Sequence, residues 1–227
     1  MKIHYATISK VGHRSNNEDA FKIVEQAGNH RWMGIVCDGM GGHAMGEVAS
    51  ETVANSISAY WEREIDMPDS KEKVYAACRE ASKAMNKRAD SLSHVEMGTT
   101  MVMASIENET ATIAHVGDSR CYLQRPDEGI IYQTKDHIGL SFGWEVVTRC
   151  FFSYRQEVTI PDVGCFKLKT GDRILLCSDG IYKSMAPDIL QARMMDDKRP
   201  EEILDVFDFL CEKSGDDNYT GIMIYID

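Results

Sequence analysis

Three aspartates close apolar runs along this sequence. Gly34-Ile35-Val36-Cys37 leads into Asp38-Gly39, Ile113-Ala114-His115-Val116-Gly117 into Asp118-Ser119, and Ile174-Leu175-Leu176-Cys177-Ser178 into Asp179-Gly180. Two acidic groups stand ahead of apolar runs instead: Glu18-Asp19 before residues 20–25, and Asp216-Asp217-Asn218 before Tyr219 to Ile226. A single Asp-Gly is an ordinary turn signal after a strand. Turns alone do not account for the same pattern at three strand ends and two strand starts. Massed carboxylates disfavour one another's ionisation unless a cation neutralises them. Sites built only from oxygen ligands suit Mg²⁺ or Mn²⁺. Glycine after Asp38 and Asp179 lets the backbone approach closely and leaves a carbonyl free as a ligand.

Arg14, in Gly12-His13-Arg14-Ser15-Asn16-Asn17-Glu18-Asp19, stands just ahead of the first acidic pair. A guanidinium beside a metal cluster can fork onto two phosphate oxygens. Two metals plus such a fork read as metal-assisted phosphoryl hydrolysis. Two rival chemistries fail on single residues. Gly41 to Glu47 has the glycine spacing of a phosphate-cradling P-loop, but Glu47 stands where a lysine would meet the phosphates. A thiolate phosphatase needs an arginine six positions after its cysteine, and no cysteine here has one.

Elements must bring these residues together. Strands are predicted near residues 2–8, 20–25, 32–37, 99–106, 110–116, 119–124, 172–178 and 219–226. Helices are predicted where Ala49, Val53, Ile57 and Tyr60 recur, and where Val74, Cys78, Ala81, Met85 and Leu92 recur. A third opens at Pro200 with Glu201 and Glu202 at its positive end, carries Ile203, Val206, Phe207 and Leu210, and closes at Lys213 and Gly215. Strands in a block, then helices, then strands again favour an α+β fold with segregated layers. If 20–25 and 32–37 form an antiparallel hairpin, Glu18, Asp19 and Asp38 share one rim. A last strand antiparallel to 172–178 brings Asp217 beside Asp179.

The whole chain, 227 residues with 43% hydrophobic and 27% charged, reads as one domain over residues 1–227 able to bury a sizeable core. A net charge of −11 argues against a duplex nucleic-acid binder and against a polybasic membrane-surface protein. No apolar run approaches the about 18–20 residues that cross a bilayer, and no signal-peptide segment opens the chain. Seven cysteines without C-x-x-C spacing indicate neither disulfides nor a zinc knuckle, so the expected compartment is cytoplasmic. Cys37, Cys121, Cys177 and Cys211 lie in apolar segments and read as core residues.

Six ordered motifs then carry a resemblance: Arg14-x-x-Asn17-Glu18-Asp19; Asp38-Gly39-Met40-Gly41-Gly42-His43 with Gly46-Glu47-x-Ala49-Ser50; Gly98-Thr99-Thr100; Val116-Gly117-Asp118-Ser119-Arg120; Ser178-Asp179-Gly180; and Asp217-Asn218-x-Thr220. From about residue 5 to the C-terminus the chain resembles the bacterial branch of the metal-dependent protein phosphatases, the protein phosphatase 2C-like family. The resemblance implies a four-layer α/β/β/α sandwich of two antiparallel sheets, with metals in a cleft at one rim. It implies hydrolysis of phosphoserine or phosphothreonine on proteins, opposing a Ser/Thr kinase. By position, Asp38 bridges two Mn²⁺ or Mg²⁺ ions, with Asp179 and Asp217 on one of them. The Gly39 carbonyl serves the other, with Glu18 or Asp19 acting there through water. Asp118 matches a residue that helps hold a third, weaker ion. Gly98-Thr99-Thr100 and Arg120 read as packing and loop structure. The implied mechanism is in-line attack by a metal-bridging water, with Arg14 and the metals offsetting phosphoryl charge and no phosphoenzyme forming.

Two departures qualify the match. The position after Asp38-Gly39, where eukaryotic relatives carry a histidine, is Met40; His43 nearby is a candidate general acid, and His137 reads as structural. The interval that holds a mobile flap in bacterial relatives is short here, which leaves a flap-derived ligand for the third ion in question. Its aromatics, including Trp144 and Phe151, are either core or an exposed docking patch. Two other functions stay open: a regulatory module on the same scaffold that binds phosphoproteins with weak or no turnover, and a hydrolase of small phosphate esters.

Overall fold

In the computed structural model, which describes residues 1–26, 31–40, 45–155 and 158–227, the long apolar runs are strands of two five-stranded antiparallel sheets. The first sheet runs β1 (Ile3–Lys10), β14 (Tyr219–Ile226), β13 (Arg173–Cys177), β7 (Arg120–Arg125), β8 (Gly129–Gln133). The second runs β12 (Asp162–Lys167), β6 (Thr110–Val116), β5 (Met101–Glu107), β3 (Arg31–Asp38), β2 (Asp19–Gln26). Successive side chains of a strand point to opposite faces, so a strand apolar on both faces needs a layer on each side. Along β14, Ile222, Ile224 and Ile226 point between the sheets, whereas Tyr219 and Met223 point to the outer helices. Along β3, Trp32 and Val36 face the other sheet, whereas Met33, Ile35 and Cys37 face the helices on their own side.

Helices α1 (Gly46–Arg63) and α2 (Lys71–Ser91) cover the second sheet through Val53, Ile57, Val74, Cys78 and Met85. The Ser70 hydroxyl caps α2 by accepting from the Lys73 N–H. On the far side, α3 (Asp179–Tyr182), α4 (Pro187–Met194) and α5 (Pro200–Ser214) cover the first sheet. The buried stripe of α5 is Ile203, Leu204, Phe207 and Cys211, while Val206 and Leu210 are half-buried beside it. Three apolar layers thus alternate with the elements, and the architecture is the expected α/β/β/α sandwich.

The sequence also forms elements that its pattern does not announce. Two short antiparallel pairs occupy the region of the site: β4 (Gly98–Thr99) with β11 (Phe151–Phe152), and β9 (Ile138–Ser141) with β10 (Trp144–Val147). In the interval after His137, Phe151 is buried in the core, whereas Leu140, Phe142 and Trp144 stand exposed on the β9–β10 hairpin. Six cysteines are buried and Cys165, on β12, is exposed.

Candidate metal centre

Register decides which acidic residues meet. β2 and β3 pair antiparallel with Asp19 opposite Asp38, so both sit at one end of the second sheet. In the first sheet, β13 and β14 pair antiparallel with Cys177 opposite Gly221. Asp179, two residues beyond the one, and Asp217, ahead of the other, therefore meet at the same rim. Gly180 makes that approach possible: a Cβ there would lie 2.0 Å from the Asn218 carbonyl oxygen. Asp118 belongs to the turn between β6 and β7, where the chain crosses from the second sheet to the first. Glu18, Asp38, Gly39, Asp118, Asp179 and Asp217, together with Arg14, line one cavity of about 510 Å³. Val146 and Val147, at the end of β10, close its edge.

The surroundings hold each group in place. Asp38 has its backbone fixed on both sides: its N–H donates to the Thr100 hydroxyl at 3.1 Å, and its carbonyl accepts from Thr99 Oγ1 at 2.8 Å and from the Thr100 N–H at 2.9 Å. Gly39 is pressed against two backbones, for a Cβ would lie 2.3 Å from the Gly46 oxygen and 2.6 Å from that of Glu18. Asp19, opposite Asp38 across the β2–β3 pair, is not among the cavity-lining residues, and its Oδ2 accepts from the Ser178 hydroxyl at 2.7 Å. Asn218 ties the rim together: its Oδ1 accepts from the Glu18 N–H, and its Nδ2 donates to the carbonyls of Val11 and Asn16. Arg14 donates from Nη2 to Asp217 Oδ2 at 2.9 Å and from Nε to the Asp216 carbonyl at 2.8 Å. His43 lies outside the described residues.

Among the described residues no hydrogen bond or ion pair reaches the Asp38 carboxylate, which is half-buried on the cavity wall. Burial pushes its pKa well above the ordinary range, and Asp19, Asp179, Asp118 and Asp217 push it further. Burial likewise raises Asp118 to about 6, with Asp179 adding to the rise and Lys183 opposing it. Asp19 is raised by burial to about 7, against the pull of its Ser178 and Thr220 hydrogen bonds. Two carboxylates at about 4 Å in an effective dielectric of about 20 repel by about 4 kcal/mol. A set of oxygen donors in which carboxylates outnumber the two cations that reach it, Arg14 on Asp217 and Lys183 on Asp179, fits a hard dication, and Asp38, Asp179, Asp217 and the Gly39 carbonyl could hold one.

A second group of ligand-type side chains is a brace. The ligand atoms of His115, His137 and Asp162 lie within 4.8 Å of one another. However, the two imidazoles stack at 4.6 Å and 14°, so their lone pairs run side by side and do not converge. The Gly117 N–H donates to His137 Nδ1, which puts the proton of a neutral ring on Nε2, facing Asp162 at 3.1 Å. The His137 N–H in turn donates to the Gly117 carbonyl. His137 thereby holds the turn that carries Asp118, the structural role its sequence position suggests.

One residue of the site escaped the sequence reading. Lys183 reaches Asp179 Oδ2 at 2.5 Å across the four residues of α3. The i,i+4 spacing of an acid and a lysine is a legible signal, but it requires knowing that a helix is there. Arg120, read as loop structure, forks onto Asp136 at 2.9 and 2.7 Å and lies 3.6 Å above the Tyr182 ring.

The chain is similar to known proteins in both sequence and fold. A sequence model of protein phosphatase 2C matches residues 9–218, and the chain belongs to that family. It is 30% identical over 235 residues to the serine/threonine phosphatase stp of Listeria monocytogenes, covering 93% of this chain and 90% of that one. Among solved structures, serine/threonine phosphatase Stp1 from Staphylococcus aureus superposes with a TM-score of 0.88 at 25% identity, over 100% of this chain and 96% of that one. The catalytic domain of the phosphatase PstP, solved in complex with two manganese ions, gives 0.79 at 29% identity over 99% of both chains.

Proposed function

We propose that this protein hydrolyses phosphoserine and phosphothreonine on proteins with two Mn²⁺ or Mg²⁺ ions, and so opposes a Ser/Thr kinase. The observation that carries the reading is the convergence of carboxylates from both sheets on one cavity with an arginine at its edge. The likeness to phosphatases named for serine and threonine supports the substrate class.

In this reading Asp38, Asp179, Asp217 and the Gly39 carbonyl, which line the cavity together, would hold the ions. Glu18 faces the cavity and would act through water, and Asp19 stands opposite Asp38 on the neighbouring strand. Bound divalent ions supply the charge that acidifies a water and offsets the phosphoryl oxygens. The chain supplies position. Arg14 stands at the rim, and its pair with Asp217 is half-exposed on both sides. Such a pair is worth about 0–1 kcal/mol, so a phosphate dianion can recruit the guanidinium at small cost. Water attacks in line with the departing Ser or Thr oxygen, and no phosphoenzyme forms. Among the described residues that line the cavity there is no cysteine, which agrees with direct attack.

Turnover of a phosphothreonine peptide, a sugar phosphate and p-nitrophenyl phosphate, each with Mn²⁺ and with chelator, tests the proposal. Metal-dependent release from the peptide is expected. Asp38→Asn is expected to lower it about 10²–10³-fold or more with an unchanged circular dichroism spectrum. Full activity of that variant, or activity on the sugar phosphate alone, would overturn the reading.

A further inference from the structure

Asp118 faces the same cavity as Asp38, Asp179 and Asp217 but reaches it from the crossing between β6 and β7. Its position is firmly set. The Tyr182 hydroxyl donates to the Asp118 carbonyl at 3.1 Å, and the Tyr182 ring is held under the Arg120 guanidinium. Lys183, next in the chain, sends its ammonium into the gap between two carboxylates: Nζ lies 2.5 Å from Asp179 Oδ2 and 3.9 Å from Asp118 Oδ2. The first distance is a charge-assisted hydrogen bond; the second is a Coulomb contact. The lysine stem is half-exposed, so the ammonium enters the gap from solvent while both carboxylates are largely enclosed.

We infer that Lys183 is a built-in monovalent cation that occupies the position between Asp118 and Asp179 and limits the centre to two divalent ions; this rests on the two-ion reading above. A hard dication needs about six oxygen ligands. In this gap Asp179 Oδ2 is committed to the ammonium, and a dication placed there would sit beside a like charge. Lys183 thus does for Asp118 what a further metal would do, with a charge that cannot dissociate from the protein.

Metal content decides the matter without reference to activity. Equilibrium dialysis of the folded protein against Mn²⁺, followed by elemental analysis, is expected to give two ions per chain for the wild type and for Lys183→Arg. Lys183→Met, which keeps the stem and removes the charge, is expected to gain a third ion, and Lys183→Met with Asp118→Asn to lose it again. Two ions on both the wild type and Lys183→Met would overturn the inference and leave the two-ion reading standing. Three ions on the wild type would overturn it as well. Fewer than two on the wild type would overturn the underlying reading together with the inference.

Discussion

At the scale of single residues, the centre is a set of carboxylates held at a cost in the absence of metal. Asp19 and Asp118 are raised to about 7 and about 6, chiefly by burial, from about 3.9 in an unfolded chain. Between about pH 4 and pH 7 the native state therefore binds more protons than the unfolded state. Stability of the metal-free protein then falls as pH rises through that window. Melting with chelator should show a Tm that drops between pH 5 and pH 8. Excess Mn²⁺ should raise Tm more at pH 8 than at pH 5, because metal binds the deprotonated carboxylates. A gap between the two curves that does not change with pH would contradict the assignment of these groups to the centre. The residue types at Asp38, Asp179 and Asp217 were legible because chemistry restricts them to a few positions at strand ends. The ties that hold them, such as Asn218 to Glu18 or Ser178 to Asp19, span about two hundred and about one hundred and sixty positions. No local pattern records contacts of that separation.

At the scale of elements, the strands that carry the centre were readable because each is a long apolar run; the predicted 110–116 and 219–226 coincide with β6 and β14. β8 and β12 are missed for a physical reason. They are half-exposed edge strands, one with only three apolar residues in a row and the other interrupted by Gly164, so neither makes a long apolar run. The β9–β10 hairpin hides in the same way, since most of its side chains face solvent. The aromatics of this interval consequently divide between the two roles open to them. Phe151 is core, and Phe151→Ala is expected to destabilise by about 3–5 kcal/mol in denaturant unfolding. Trp144 is 77% exposed on the hairpin whose base closes the cavity. Trp144→Ala is expected to change stability by no more than about 0.5 kcal/mol. It should lower kcat/KM on a phosphoprotein while leaving p-nitrophenyl phosphate turnover intact. Equal loss on both substrates would place Trp144 in the machinery of the site and rule out a contact to protein substrates.

At the scale of the whole molecule, the two sheets touch through an apolar layer, and the centre lies where both end. Asp38 ends a strand of the second sheet; Asp179 opens the helix that follows β13, and Asp217 precedes β14, both strands of the first sheet. An ion shared among them would staple the two layers, and at a concentration of 100 Kd it adds about 2.7 kcal/mol. Hydrogen exchange measured with and without Mn²⁺ should show protection gained together at Thr99–Thr100 and at Ser178–Thr220, one segment from each side of the interface. Protection confined to one sheet would mean that the ions do not bridge them. No helix among the described residues is long and apolar enough to cross a membrane.

The burial of six thiols and exposure of the seventh on β12 has a practical corollary. A maleimide dye offered to the native protein finds one attachment point, Cys165, on an edge strand away from the cavity-lining residues. Denatured chains would take up seven. The ratio of label to protein thereby becomes a gauge of intactness for every variant discussed above, read on the same samples that are assayed.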